Sequence, residues 1–111
     1  MNMGGPRTLG HVKPFLQRLF SDRDLIQLPM QPLLSRFIAW RRTPSIRKQY
    51  EAIGGGSPIL HWSQEQGKRL VERLDELHPE TAPHRFYVGF RYAEPLMQDA
   101  LGEMLKDGVT R

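Results

Sequence analysis

The spacing of apolar residues divides the chain into a series of helical stretches and one strand. Thr8 precedes Leu9, Val12, Leu16, Leu19 and Phe20, which keep helical spacing and predict a helix to about Phe20. Pro14 stands inside it, and a proline there removes a backbone bond and crowds the turn before it, so a kink or a late start is expected. Pro32 can open a second helix through Trp40, with Leu33, Phe37 and Trp40 on one side and Leu34 and Ile38 beside them. A third is marked at both ends. Thr43 suits the cap and Pro44 the first helical position, Ile46, Tyr50 and Ile53 recur at i, i+4 and i+7, and Gly54 offers the left-handed stop. Ser63-Gln64-Glu65-Gln66 has capping-box spacing and predicts a helix to about Leu77, with Leu70, Val71, Leu74 and Leu77 as its buried stripe and Pro79 as its end. Arg85 to Phe90 is a near-continuous apolar and aromatic run, the pattern of a strand buried on both faces. Pro95 then opens a last helix, with Leu96, Ala100, Leu101 and Met104 inward and Gly108 ending it.

Met1 to Pro6 reads as the tail of a strand turning through Gly4 and Gly5 toward the first helix. Strand, helices, strand, helix is the rhythm of an α/β domain with a doubly wound parallel sheet, mostly helical in this part. A strand with two apolar faces and two ladder edges needs more than one neighbour, and Val109-Thr110-Arg111 stands where another strand is expected. The chain therefore reads as the front part, residues 1–111, of an incomplete domain of a larger protein, either from an unfinished sequence or as a truncated product.

Composition changes this picture little. At 39% hydrophobic and 25% charged over 111 residues, the chain has the make-up of one ordinary globular unit. Its net charge of +4 suits an anionic partner: nucleic acid, an acidic lipid surface or a ligand with carboxylates. Scattered solvated Lys and Arg explain the charge equally well, and neither a recognition helix nor an aromatic platform speaks for nucleic acid. The absence of cysteine excludes disulfides and thiolate-held metal or iron–sulfur sites within these residues. No run approaches the roughly 20 apolar residues of a membrane span, and the first residues have neither signal-peptide nor presequence character.

The stretch from Arg41 to Ile59 holds the candidate chemistry. Arg42 is a permanently charged fork fitted to a carboxylate, or a surface partner for an acid. Tyr50 offers an amphipathic ring and a phenolic donor, or a core ring with its hydroxyl at the rim. Ser57 can donate to a ligand or serve as an ordinary loop residue before Pro58. Gly54-Gly55-Gly56 exceeds what one cap requires and points to a backbone that something flat approaches closely. Residues 20 to 40 are rich in large apolar side chains, which fit core packing or an exposed surface for a membrane or ligand. His11, His61, His78 and His84 show no metal-ligand spacing, and neither glycine cluster matches a nucleotide loop. Arg91-Tyr92, at the end of the predicted strand, lies where open α/β sheets bind ligands; an edge salt bridge is the competing reading.

RRTPxIxxQYxxIGGGSPI at Arg41 to Ile59 strongly resembles the porphyrin-pocket segment of ferrochelatases, which insert ferrous iron into protoporphyrin to make haem. Asn2-Met3-Gly4-Gly5-Pro6, Leu19-Phe20-Ser21-Asp22-Arg23-Asp24, Thr81-Ala82-Pro83-His84 and Gly89-Phe90-Arg91-Tyr92 match the same family in the same order, the animal branch most closely, and the agreement runs to about Gly108. The resemblance implies protoporphyrin IX contacts at Arg42, Tyr50, Ser57, Met3 and Ile46. It places Leu16, Leu19 and Phe20 near the pocket mouth, and makes 17–42 an apolar lip that touches a membrane and 41–59 the pocket segment. It also implies a chelatase-like fold, a homodimer, a peripheral place on the matrix side of the mitochondrial inner membrane, and a two-iron two-sulfur cluster held by cysteines that these residues lack. The histidine and acidic residues that take the pyrrole protons would lie downstream, so no catalytic or metal-binding residue is assigned here. The rival expectation is a non-catalytic product that binds membrane or the full enzyme through segment 20–40.

Overall fold

The computed structural model describes residues 2–109, in which four helices follow one another: α1 (Val12–Ser21), α2 (Gln31–Ala52), α3 (Ile59–Leu77) and α4 (Met97–Lys106). Short 3-10 turns at Leu9–His11 and Pro79–Thr81 precede α1 and follow α3. Pro14 falls in the first turn of α1, where its missing N–H has no intrahelical partner, so the late start is the one observed.

The largest departure from the sequence pattern is α2. It runs unbroken through both stretches expected as separate helices, with Pro44 in its interior instead of at a start. Thr43 does not cap a helix; its hydroxyl donates to the Ala39 carbonyl, 2.6 Å, one turn back. Packing explains the continuity. Gln31, Ser35 and Ala39 recur every four residues and are buried against α1, which carries the helix past a proline that alone would break it at about 3 kcal/mol.

That buried stripe is polar at two of its positions, and each is satisfied. The Gln31 side-chain amide donates to the carbonyls of Phe20, 2.7 Å, and Ile26, 3.0 Å, while its oxygen accepts from the Leu28 N–H, 2.8 Å. Ser21 and Ser35 share a hydroxyl hydrogen bond of 3.1 Å. One glutamine thus ties the whole α1–α2 connection, and Met30 enters α2 in the left-handed conformation, φ 49°. With the inner face filled by small and polar groups, Leu33, Phe37 and Trp40 face outward; Trp40 is 63% exposed. Among the described residues that stripe lies outside the α1–α2 core.

Two helix ends are built alike. After α2, Gly54 (φ +104°) donates its N–H to Glu51 and Gly55 donates to Tyr50; after α4, Gly108 (φ +71°) donates to Leu105 and Val109 to Met104. Both are Schellman closures, which require the left-handed residue that glycine supplies.

Among the described residues no strand forms. Asn2 and Leu96 each make an isolated parallel bridge to Phe90, and Arg91 and Tyr92 donate main-chain hydrogen bonds to Asn2 and Met3. The expected central strand at 85–90 is thus an extended segment touched at one end, because a ladder needs paired edges along its length. The expected starts at Met1 and at Thr110 and Arg111 lie outside the described residues.

α3 also differs. It begins at Ile59 behind Pro58, four residues before the capping-box serine, and it buries no side chain: Leu70 and Leu77 are more than half exposed. In α4, Ala100 is buried but Leu101 is exposed. The α1–α2 core cluster is Val12, Leu16, Phe20 and Ala39, with Phe15, Leu19, Ile26, Ile38, Ile46 and Tyr50 packed against it, and Phe90, Tyr92, Ala93 and Ala100 are buried elsewhere. The radius of gyration of 17.3 Å, against about 13 Å for a compact domain of this length, and a surface of 8262 Å², against about 6300 Å², have the same cause. No helix among the described residues is long and apolar enough to cross a membrane.

Candidate functional site

A groove of about 440 Å³ lies between α1 and the C-terminal half of α2, lined by Phe15, Leu16, Leu19, Phe20, Arg42, Ile46, Gln49, Tyr50 and Ile53. Its floor is the core itself. Leu16 and Phe20 are buried from α1, and Ile46 and Tyr50 lean on them from α2 at the helical i, i+4 spacing. Arg42, one turn earlier on the same face, stands exposed at the rim, and among the described residues it enters no ion pair. The Tyr50 ring is half-buried, and burial pushes its phenol above the ordinary value, so it stays a neutral donor.

The structure brings Leu16, Leu19, Phe20, Arg42, Ile46 and Tyr50 to this one groove. Met3 and Ser57 are not among its lining. Met3 belongs to the neighbouring segment at residues 2–6, where its carbonyl accepts the Tyr92 N–H at 3.1 Å, and Ser57 is tied to that segment by its N–H, which donates to the Pro6 carbonyl at 2.7 Å. A second, smaller cavity of about 120 Å³ lined by Gly5, Pro6, Arg7, Arg18, Tyr92 and others lies there, and Phe15 lines both. Phe15, Gln49 and Ile53 are groove residues that the sequence reading did not single out as such. Ile53 is signalled by its place in the Ile46, Tyr50, Ile53 stripe, and Phe15 by its position four residues before Leu19.

The glycines have causes internal to the protein. Gly54 and Gly55 face open space and are required by the helix closure. Gly56 is packed against the Arg7 carbonyl, where a Cβ would overlap, and Gly5 is packed against Ser57, where a Cβ would come within 2.6 Å. The flat object that approaches Gly56 is the peptide plane of Arg7.

Outside the groove, His84 pairs with Asp75, Nδ1 to Oδ1 2.6 Å, and His78 with Glu80 at 3.0 Å. The His84 N–H, more than its ring, holds the Asp75 carboxyl below the usual carboxylate range. No cluster of His, Asp and Glu able to hold a metal occurs among the described residues, and without cysteine the chain cannot ligate an iron–sulfur cluster of the thiolate kind. Arg91 makes the salt bridge considered from sequence, to Asp22, and the Tyr92 hydroxyl donates a hydrogen bond to the same carboxylate.

A groove with an apolar floor and walls, one guanidinium and one phenol at its edge, fits a ligand that is broad and apolar on its face and anionic at its margin. An open groove of this lining has the make-up of one wall of a small-molecule site. The chain belongs to the ferrochelatase family, whose model it matches over residues 1–111. It is 59% identical over 111 residues to human mitochondrial ferrochelatase, 58% to that of Xenopus laevis and 53% to that of Drosophila melanogaster, in each case along all of this chain. It spans 26–29% of the length of these relatives. Membership makes these helices part of a larger α/β fold.

Proposed function

We propose that the chain works within a ferrochelatase, a lyase that inserts ferrous iron into protoporphyrin IX to form protohaem, and that the α1–α2 groove is its porphyrin-binding wall. The single observation that carries this reading is that the apolar residues, Arg42 and Tyr50 converge on one groove from helices separated in sequence. Phe15, Leu16, Leu19, Phe20, Ile46 and Ile53 take the macrocycle's apolar face. Arg42 pairs with a propionate at the edge, a contact that a guanidinium makes in bidentate form. Tyr50 lies against the ring with its neutral hydroxyl free to donate. Met3 and Ser57 touch only a ligand that extends past Phe15.

Gripping the edge while apolar side chains press one face holds the macrocycle bent, which exposes the pyrrole nitrogens to the incoming metal; strain of this kind, supported by binding at the periphery, lowers a barrier. Ferrous iron is a substrate. The 111 residues alone offer no base at the groove for the pyrrole protons, so by themselves they bind without inserting iron. Iron insertion by the purified 111-residue chain above metal-free blanks would overturn that statement. The family's place, peripheral at the matrix face of the mitochondrial inner membrane, and a homodimeric assembly are proposed for the whole protein.

Titration of the native gene product with protoporphyrin IX tests the reading: saturable binding, weakened by Arg42→Ala and by Tyr50→Phe. A second reading has its own observation, the outward stripe of Leu33, Phe37 and Trp40 with Leu25 and Met30 near it. It is a non-catalytic product held to a membrane or to the full enzyme through 20–40. Vesicle binding without any porphyrin response would favour it.

A further inference from the structure

The cavity of about 120 Å³ behind Phe15 is opposite in character to the apolar groove. From Met3 to Ser21 the chain holds no aspartate or glutamate, while Arg7, His11, Lys13 and Arg18 fall in that stretch. Arg7, His11 and Arg18 all line the cavity. α1 starts beside His11 with no acidic residue in its first turn and no side chain capping it, so the positive end of the helix adds to the same field. The acid in the lining is Glu94. It meets Arg18 at 3.6 Å with both side chains exposed, a contact too long and too wet to cancel the charge.

Among the described residues the side chains of Arg7 and His11 enter no hydrogen bond or ion pair. Beyond its contact with Glu94, Arg18 commits one N–H, to the Tyr92 carbonyl at 3.4 Å, of a guanidinium that carries five. The main chain that carries Arg7 is fixed: Pro6 is fully buried, its carbonyl accepts the Ser57 N–H at 2.7 Å, and the Arg7 carbonyl packs against Gly56. A concave wall of one charge sign concentrates its field. The space holds a small oxyanion with some of its water, since a single water takes roughly 30 Å³ of the liquid.

We propose that this cavity binds an oxyanion, a phosphate or a carboxylate, through Arg7, His11 and Arg18. The oxyanion is either free or borne by the ligand in the groove, because Phe15 lines both spaces. Only the second case rests on the reading of the groove as the porphyrin wall.

The test titrates the native gene product, free of porphyrin, with inorganic phosphate at an ionic strength held constant with chloride, read by the amide resonances of Gly5, Arg7 and His11. Saturable shifts are expected. Arg7→Gln and Arg18→Gln each weaken phosphate binding roughly threefold to tenfold, and Glu94→Gln strengthens it by about as much. The opposite sign at Glu94 separates an anion site from a loss of folding, which weakens binding in every variant. A repeat with protoporphyrin IX present distinguishes the sources. Phosphate that still binds is the free occupant; phosphate that competes, with porphyrin itself weakened by Arg7→Gln, marks a carboxylate of the macrocycle. Shifts that never saturate, that chloride reproduces, or that are the same in all three variants overturn the site. A protein that binds phosphate through these residues but binds no porphyrin keeps the site and overturns the groove reading alone.

Discussion

Replacing Gly56 with alanine separates two explanations of the triple glycine. A Cβ there would overlap the Arg7 carbonyl and lie 3.2 Å from the Pro6 carbonyl, which is the acceptor of the 2.7 Å hydrogen bond from Ser57. Both neighbours are main chain and cannot swing aside as a side-chain tip would. Overpacking against a backbone costs about 1–3 kcal/mol, and loosening the Ser57 bond costs about 1 kcal/mol more. Gly56→Ala is therefore expected to destabilise by about 2–4 kcal/mol. Gly54→Ala meets open space and adds only the left-handed strain at φ +104°, about 1–2 kcal/mol. Denaturant midpoints of the native gene product without porphyrin measure both. An unchanged midpoint for Gly56→Ala, together with weakened porphyrin binding, would refute the packing argument and return the glycine to the ligand.

Other consequences concern single contacts. Because burial raises the Tyr50 phenol, its share of stability is complete below the unfolded value near 10 and is lost as pH rises toward the folded value; phenolate absorbance is expected to appear later for Tyr50 than for an exposed tyrosine. Asp75 has the opposite sign. Its lowered carboxyl contributes above its unfolded value near 3.8 and that contribution is lost as pH falls through the folded value, so acid should free the His84 amide, visible as faster exchange. Leu16→Ala, at a buried position that is both core and groove, should lower stability by about 2–5 kcal/mol, read by thermal melting, and weaken porphyrin binding as well. Gly67→Ala would drive a Cβ into the Phe86 ring and is expected to cost about 1–3 kcal/mol and to displace the 85–90 segment, read by near-ultraviolet dichroism.

The groove was largely legible in the sequence because it is a matter of helical spacing and of resemblance: Arg42, Ile46 and Tyr50 fall on one face of any helix through them, and Leu16, Leu19 and Phe20 on another. The helix ends at Gly54 and Gly108 were equally plain, since a left-handed closure needs its glycine. What could not be read was the burial of Gln31, Ser35 and Ala39. Two polar side chains facing inward are stable only through carbonyls and hydroxyls supplied by α1, and pattern alone favours the larger Leu33, Phe37 and Trp40 for that place. The same burial carries α2 past Thr43 and Pro44, whose local preference is for a start. Ser63 shows the limit of capping signals, because Pro58 and Ser57 begin α3 earlier, with the Ser57 hydroxyl accepting the Ile59 N–H at 3.3 Å. The strand at 85–90 was read from its run of apolar and aromatic residues, but a strand is realised by its neighbours, and among the described residues only Phe90 to Tyr92 of this stretch find main-chain partners.

The central claim is that the ligand wall is the inner face of α1 and α2, and methyl resonances of the native gene product in the presence of protoporphyrin IX test it most directly. A bound macrocycle shifts nearby methyl groups upfield by its ring current. The Leu16, Leu19, Ile46 and Ile53 methyls are expected to shift strongly and saturably, and Leu33 on the outer face of α2 to stay in place. Shifts at Leu33 with none at Ile46 and Leu16 would contradict the account.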